Sequence, residues 1–178
     1  MVIRPETPGD FERIGAVVRA AFDSAEHADG NEADLVAALR ASDAYLPELA
    51  LVAEIEGEVV GHILFTQIRI GQSCQLALAP LSVLPAHQRR GIGTALVRAG
   101  HQRARRMGYA YSVVLGSERY YPRFGYRPAR EYGIFPPFDV PDENFMACKL
   151  TQDVRPISGK VRYAKEFGID GAQKDTEE

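Results

Sequence analysis

Three observations predict a single mixed α/β domain. Amphipathic helical stretches alternate with runs rich in β-branched residues, no internal repeat or long linker separates them, and 178 residues suffice for one apolar core. A hydrophobic fraction of 46% with 25% charged residues is that of an ordinary globular protein rather than a disordered chain. No stretch approaches the ~20 apolar residues that a spanning helix needs. Met1-Val2-Ile3-Arg4-Pro5 lacks the basic region, apolar run and cleavage site of a secretory signal. The expectation is a cytoplasmic protein with no membrane partner.

The elements follow in chain order. Val2 to Pro5 is a short strand candidate ended by its proline, and Thr7-Pro8-Gly9-Asp10 is a helix entry with Thr7 or Asp10 as cap. Phe11, Ile14, Val17, Val18, Ala21 and Phe22 recur at helical spacing. Leu35, Val36 and Leu39 mark a second, shorter helix from Glu32 to Arg40 that stops before Pro47. Leu49 to Glu56 and Glu58 to Ile70, joined by the turn Glu56-Gly57, predict an antiparallel hairpin, and Gly71 breaks the pattern. Leu76 to Leu84 is nearly continuous in apolar residues, which suits a central strand covered on both faces. Pro80 within it implies a distortion, because proline cannot donate to the ladder. From Gly91 to Met107 the spacing is helical again, with Gly108 at the left-handed cap position. Tyr111 to Leu115 predicts a strand, Ser117 to Phe124 a short helix closed by Gly125, and Asn144 to Leu150 a last strand. The polar end from Gly168 reads as frayed.

Composition also excludes some chemistry. Cys74 and Cys148 lie far apart without Cys-x-x-Cys spacing, and both read as small buried hydrophobes. His27, His62, His87 and His101 form no His-x-x-x-His pair, so no metal site is expected. A net charge of -3 argues against a protein built to coat nucleic acid, although arginines concentrate between Arg89 and Arg106.

One segment carries chemistry. Gln88-Arg89-Arg90-Gly91-Ile92-Gly93-Thr94 lies where an apolar strand gives way to a helix, whose N-terminus offers unpaired N–H groups and the positive end of a dipole. Gly91 and Gly93 place no side chain between those amides and an incoming diphosphate. Arg89 and Arg90 add opposing charge, and Thr94 can donate its hydroxyl. The other phosphate motifs fit worse: a P-loop requires a lysine that is missing, and Leu96 stands where the dinucleotide fingerprint requires a third glycine.

Val83-Leu84-Pro85-Ala86-His87-Gln88-Arg89-Arg90-Gly91-Ile92-Gly93 resembles the acetyl-CoA motif of the GNAT superfamily of N-acetyltransferases. Tyr120-Tyr121-Pro122-Arg123-Phe124-Gly125-Tyr126 resembles a second family motif at the expected distance. Together with Val114-Leu115-Gly116 and Phe145-Met146 it points to the YhbS-like group. The resemblance spans Val2 to Leu150, so residues 1–150 are expected to form the acetyltransferase domain and 151–178 a C-terminal extension. It implies a mixed, mostly antiparallel sheet splayed between the strands ending at Leu84 and Leu115. Acetyl-CoA would lie in that opening, its pantetheine arm on main-chain groups of Leu81, Ser82 and Val83 and its diphosphate on Gln88 to Thr94. Pro80 would then leave its neighbours free to bond the ligand.

The resemblance further implies acetyl transfer to a primary amine by direct attack in a ternary complex. Tyr121 occupies the position of the proton donor to the leaving thiolate, with Tyr120 as its rival. An unperturbed tyrosine pKa of about 10 exceeds the ~8.5 of a thiol, so the phenol is protonated when sulfur leaves. A main-chain N–H near Val83 would polarise the carbonyl. Gly116-Ser117 stands where many members place an asparagine against the cofactor, and Ser117 is the expected substitute there. No carboxylate lies on the strand Leu76 to Leu84, which leaves Glu26, Glu32 and Glu118 as candidate general bases. Asp23, Glu26, Asp29, Glu32 and Asp34 form an acidic stretch that would favour a cationic acceptor. Two other readings compete: an acetyl-CoA sensor without transfer, and an RNA-binding module built on Arg98, Arg103, Arg105 and Arg106, which lacks an aromatic platform. The oligomeric state is open, a homodimer included.

Overall fold

The hydrophobic periodicities resolve into nine strands and three α-helices within residues 1–23, 25 and 28–169, the part that the computed structural model describes. In order they are β1 (Val2–Pro5), α1 (Phe11–Phe22), α2 (Glu32–Arg40), β2 (Tyr45–Ile55), β3 (Glu58–Ile70), β4 (Ser73–Val83) and α3 (Ile92–Arg106). After these come β5 (Tyr111–Leu115), β6 (Arg127–Pro128), β7 (Ile134–Phe135), β8 (Phe145–Lys149) and β9 (Gly159–Arg162). The sheet runs β1-β2-β3-β4-β5-β8-β6, antiparallel throughout except at β4–β5. The fold is the mixed α/β sheet expected.

The hairpin forms where Glu56 and Gly57 both take positive φ, 52° and 82°, the twist that a two-residue turn needs to match its strands. β3 outruns β2. Its overhanging end pairs Arg69 and Ile70 with Arg162 and Val161 of β9, which in turn lies parallel to β7. Helix α3 covers one face of the sheet, where Leu96, Val97 and Ala104 meet Leu49, Leu51, Phe65 and Leu78. α1 and α2 cover the other through Ile14, Val17 and Leu39 against Ala50, Val52 and Leu64. Each such side chain taken fully from water contributes about 1.5–3 kcal/mol, which holds both layers to the sheet.

The feature that positions the site is β4. It pairs with β5 only from Leu76 to Leu78, opposite Ser112 to Val114. On its other edge Ile63 faces Leu81 and Phe65 faces Leu78, two steps along β3 against three along β4. The surplus residue makes a bulge at Ala79-Pro80, the distortion that the proline implies. Beyond it β4 stays with β3, its edge toward β5 is left unpaired, and the sheet splays.

Several expectations are corrected. β2 begins at Tyr45, not Leu49, because Leu46-Pro47-Glu48 bow out between the pairs Tyr45–Thr66 and Ala50–Leu64, so the proline costs no ladder bond. β4 begins at Ser73, before the apolar run. Ser117 to Phe124 is not a helix but a single 3-10 turn over Tyr121–Phe124, since Pro122 has no N–H to bond backward. Cys74 is exposed, while Cys148 is buried, its thiol pushed up to about 11 by burial. Of the terminal stretch expected to fray, residues 170–178 lie outside those described.

Candidate active site

β4 leads through Leu84 and the turn Pro85–His87 into a tight corner before α3. Gln88 Nε2 donates to the carbonyl of Val83 at 3.1 Å and closes that corner. Arg89 and Gly91 take left-handed conformations, φ 60° and 81°. Gly91 is the N-cap residue of α3 and supplies no capping side chain, so the first N–H groups of the helix are left for a ligand. They open on a cleft of about 520 Å³. Of the residues expected to hold the cofactor, Leu81, Val83, Gln88, Arg89, Gly91, Ile92, Gly93 and Thr94 line it.

The remaining ones do not. Arg90 is exposed on the corner, outside the lining. Ser82 is buried, pairs with His62 and faces the opposite side of the sheet, its Oγ without a partner. Gly116 and Ser117 lie past the end of β5, outside the lining. The Gly116 N–H donates to the Asn144 carbonyl at 2.9 Å, and Asn144 Nδ2 donates back to the Gly116 carbonyl at 3.1 Å. An asparagine thus reaches this place from the segment before β8. His87 and Arg123 line the cleft and were not anticipated, though both stand inside the two motif runs.

The adjacent tyrosines occupy different places. Tyr120 lines the cleft beside Thr94, and a Cβ at Gly93 would lie 2.6 Å from its hydroxyl. Gly93 is therefore needed for the approach of Tyr120, whereas Gly91 is needed for its backbone angle. Arg123 stacks its guanidinium 4.5 Å from the Tyr120 ring centroid and donates Nε to the Tyr120 carbonyl at 2.8 Å. Tyr121 turns inward, edge-on to Tyr120 at 5.1 Å and to Tyr126 at 5.7 Å. Its ring lies on Gly116, where a Cβ would come within 2.5 Å. Burial raises both phenols; the neighbouring Thr94 offsets part of this for Tyr120, while Tyr121 is held well above the usual range.

On the far side of the sheet lies a second polar group that has no local pattern in sequence. The Glu6 carboxylate, 1% exposed, accepts from Arg40 Nε at 2.7 Å and Arg40 Nη2 at 3.1 Å. It also accepts from the Tyr45 hydroxyl at 2.7 Å and meets His62 Nε2 at 2.9 Å. The Arg40 guanidinium rests 3.7 Å above the Phe11 ring. Burial alone would push Glu6 upward, but hydrogen bonds from His62 and Arg40 outweigh it and hold the carboxyl down at about 2. His62 is fully buried and its Nδ1 has no partner.

Of the carboxylates considered as bases, Glu26 lies outside the described residues. Glu32 accepts the Asp29 N–H at 2.8 Å, and Glu118 accepts from Asn144 Nδ2 at 3.0 Å at the surface. Among the described residues no cluster of His, Cys, Asp and Glu could hold a metal ion, and no helix is long and apolar enough to cross a membrane.

Residues 17–126 match the family described as Acetyltransferase (GNAT) family. The chain is 39% identical over 141 residues to the uncharacterized N-acetyltransferase YjhQ of Escherichia coli, covering 75% of this chain and 78% of that protein. A GNAT family acetyltransferase from Brucella melitensis, solved in complex with acetyl-CoA, is 35% identical with a TM-score of 0.77, over 93% of this chain and 97% of that one. The YhbS N-acetyltransferase of Escherichia coli, solved in complex with CoA, superposes with a TM-score of 0.85 at 29% identity, over 96% and 93% of the two chains.

Proposed function

The chain belongs to the GNAT acetyltransferase family, and on that premise we propose that it moves the acetyl group of acetyl-CoA to a primary amine by direct attack in a ternary complex. The observation that carries this reading is the junction of two unpaired main-chain surfaces in one cleft: the uncapped first turn of α3 and the edge of β4 beyond Leu78. The diphosphate takes the N–H groups and Arg89, and the pantetheine arm completes the β4 edge as a missing strand would. The complexes of relatives with acetyl-CoA and CoA support the ligand. We assign the activity to residues 1–150, with 151–178 an extension that returns to β3 through β9.

Tyr121 is the proton donor. Its ring stands on Gly116 at the β5 side of the splay, where the thioester of an extended arm would lie, while the Tyr120 hydroxyl lies against Gly93 at the start of α3. A phenol raised by burial is fully protonated at neutral pH and can meet charge as it develops on sulfur. The acceptor is a primary amine, and the acidic stretch of Asp23, Glu26, Asp29, Glu32 and Asp34 favours a cationic one, an attraction that salt weakens.

The test is calorimetric titration with acetyl-CoA together with CoA release in the presence of amines. Tyr121→Phe should lower kcat about 100-fold with the acetyl-CoA Kd unchanged, and Tyr120→Phe should do less to kcat. The reverse order would make Tyr120 the donor. Absence of acetyl-CoA binding would overturn the reading.

A further inference from the structure

Resting on that acetyl-transfer reading, we propose that His62 is the proton acceptor for the attacking amine, reached through the Ser82 hydroxyl and oriented by Glu6. The faces of the sheet come first. A Cβ on Gly61 would lie 3.1 Å from both Ile92 and Leu96, so Gly61 faces α3 and the next residue, His62, faces away from it. Ser82 is the partner of His62 in the β3–β4 register. Directly paired side chains leave the same face with Cβ atoms about 4.5–5.5 Å apart.

Both residues are buried, at 0% and 2% exposure, and each leaves one polar atom without a partner, Nδ1 of His62 and Oγ of Ser82. A buried polar atom left unpaired has given up its water with nothing in return. Two of them on paired residues, beside a histidine whose other nitrogen is firmly held, mark a place kept for a reacting group. Ser82 lies between Leu81 and Val83, which line the cofactor cleft, and past Leu78, where β5 has already left β4. With the cofactor entering from the α3 side, the amine meets the thioester from the side of Ser82.

The tautomer follows from Glu6. A carboxylate only accepts, so the proton of the neutral ring sits on Nε2, and the lone pair is at Nδ1. Arg40 and Tyr45 hold Glu6 in place and are, with it, positioning residues. In the step itself the amine nitrogen bonds to the carbonyl carbon and gives a proton to Ser82 Oγ, which turns about its Cα–Cβ bond from its unpartnered position toward His62 Nδ1 and passes its own proton there. The carbon–sulfur bond breaks, and the thiolate takes the proton of Tyr121. One proton leaves nitrogen and one reaches sulfur; the imidazolium and phenolate that result exchange a proton through solvent before the next turnover. The titratable group against His62 is Glu6 from the segment before α1, and Arg40 from α2 and Tyr45 from β2 stand behind it on the same carboxylate.

The experiment measures acetyl-CoA turnover on spermidine, kanamycin and a lysine-bearing peptide for the full chain and for His62→Gln, Ser82→Ala and Glu6→Gln. His62→Gln should lower kcat about 100-fold and Ser82→Ala about 10-fold, with the acetyl-CoA Kd and the amine KM within about two-fold. Glu6→Gln, which weakens the acceptor that fixes the His62 tautomer, should lower kcat about 10-fold with both affinities kept. Nitrogen-15 NMR of the histidines, which needs no variant, should show His62 protonated at Nε2. A kcat within two-fold in both His62→Gln and Ser82→Ala, or a proton on Nδ1 of the neutral ring, overturns the relay while acetyl transfer stands. Wild-type protein that acetylates no amine in the panel overturns the transfer reading and the relay with it.

Discussion

At the corner between β4 and α3 the polar groups belong to the main chain, whereas beneath β3 they belong to side chains drawn from four distant segments. The corner is made by residues 88–94 in succession, with Arg89 and Gly91 in left-handed conformations. The network gathers Glu6, Arg40, Tyr45 and His62 around one buried carboxylate. A backbone site holds its shape through the fold and is open to water until a ligand comes. A buried ionic network is held by its own charges, and every member depends on the others. Changes at the corner should therefore register in ligand binding, and changes in the network should register first in stability.

The largest effect expected is that of Glu6→Ala, which leaves the Arg40 guanidinium, 14% exposed, without its counter-charge. Removing one partner of a buried pair costs about 3–5 kcal/mol, to be read as a shift in the denaturant midpoint. A loss below 1 kcal/mol would mean that water enters the network and that it is as solvated as the corner.

Acid should separate the network from the helix behind the corner. Glu6, lowered to about 2, contributes stability that is complete above the 4.5 of an ordinary glutamate and is lost as pH falls from there toward 2. His101 is buried on α3, where its Nε2 meets the Tyr126 hydroxyl at 2.9 Å, and burial with Arg105 nearby lowers it to about 4. Because the unfolded histidine takes its proton first, the contribution of His101 is complete above 6.5 and is lost as pH falls from 6.5 to 4. Each step is worth about 3 kcal/mol. Unfolding measured across this range should show both, with Glu6→Gln removing the lower step alone and His101→Gln the upper.

At the corner, Gly91→Val should weaken acetyl-CoA about 100-fold, roughly 2.7 kcal/mol, because a β-branched residue will not hold φ 81° and the first turn of α3 rotates away. Its cost to folding should be about 1–2 kcal/mol, less than the loss in binding. If stability falls further than affinity, the corner is a structural turn. The smallest effect expected is Tyr120→Phe, which removes a hydroxyl from the cleft lining beside Gly93 and should weaken acetyl-CoA about three-fold by calorimetry.

The same contrast explains what could be read without coordinates. Gln88 to Thr94 is contiguous, and its glycines and arginines report their function by type and spacing. The hairpin turn at Glu56-Gly57 and the strand Tyr111–Leu115 are equally local and equally legible. Glu6 and His62 stand 56 positions apart, and each taken alone is an unremarked polar residue beside a strand. β9 escaped for a related reason: Gly159–Arg162 has too few residues for alternation to show, and its partner is the overhang of β3, a consequence of unequal strand lengths. Tyr121–Phe124 misled because its aromatic spacing suits a helix, while Pro122 removes the bond that a full turn requires. Tyr120 and Tyr121 could be named as rivals but not told apart, since only the perpendicular packing of their rings sends one to α3 and the other inward.

The bulge at Ala79-Pro80 has a genetic corollary. One surplus residue lets Leu78 and Leu81 share the face toward α3 although they are three apart. A deletion of a single codon there would restore strict alternation with Leu81 still toward α3 and Ser82 still toward α1 and α2, but with no surplus residue to part β4 from β5. It would also let β4 zip onward along β5. Such a frame-preserving deletion would yield a chain that still folds around the same two apolar layers while its cleft is sealed by its own backbone. The opening in this sheet thus depends on a reading-frame detail of one triplet, and random in-frame deletion libraries should lose function at positions 79 and 80 long before they lose soluble protein.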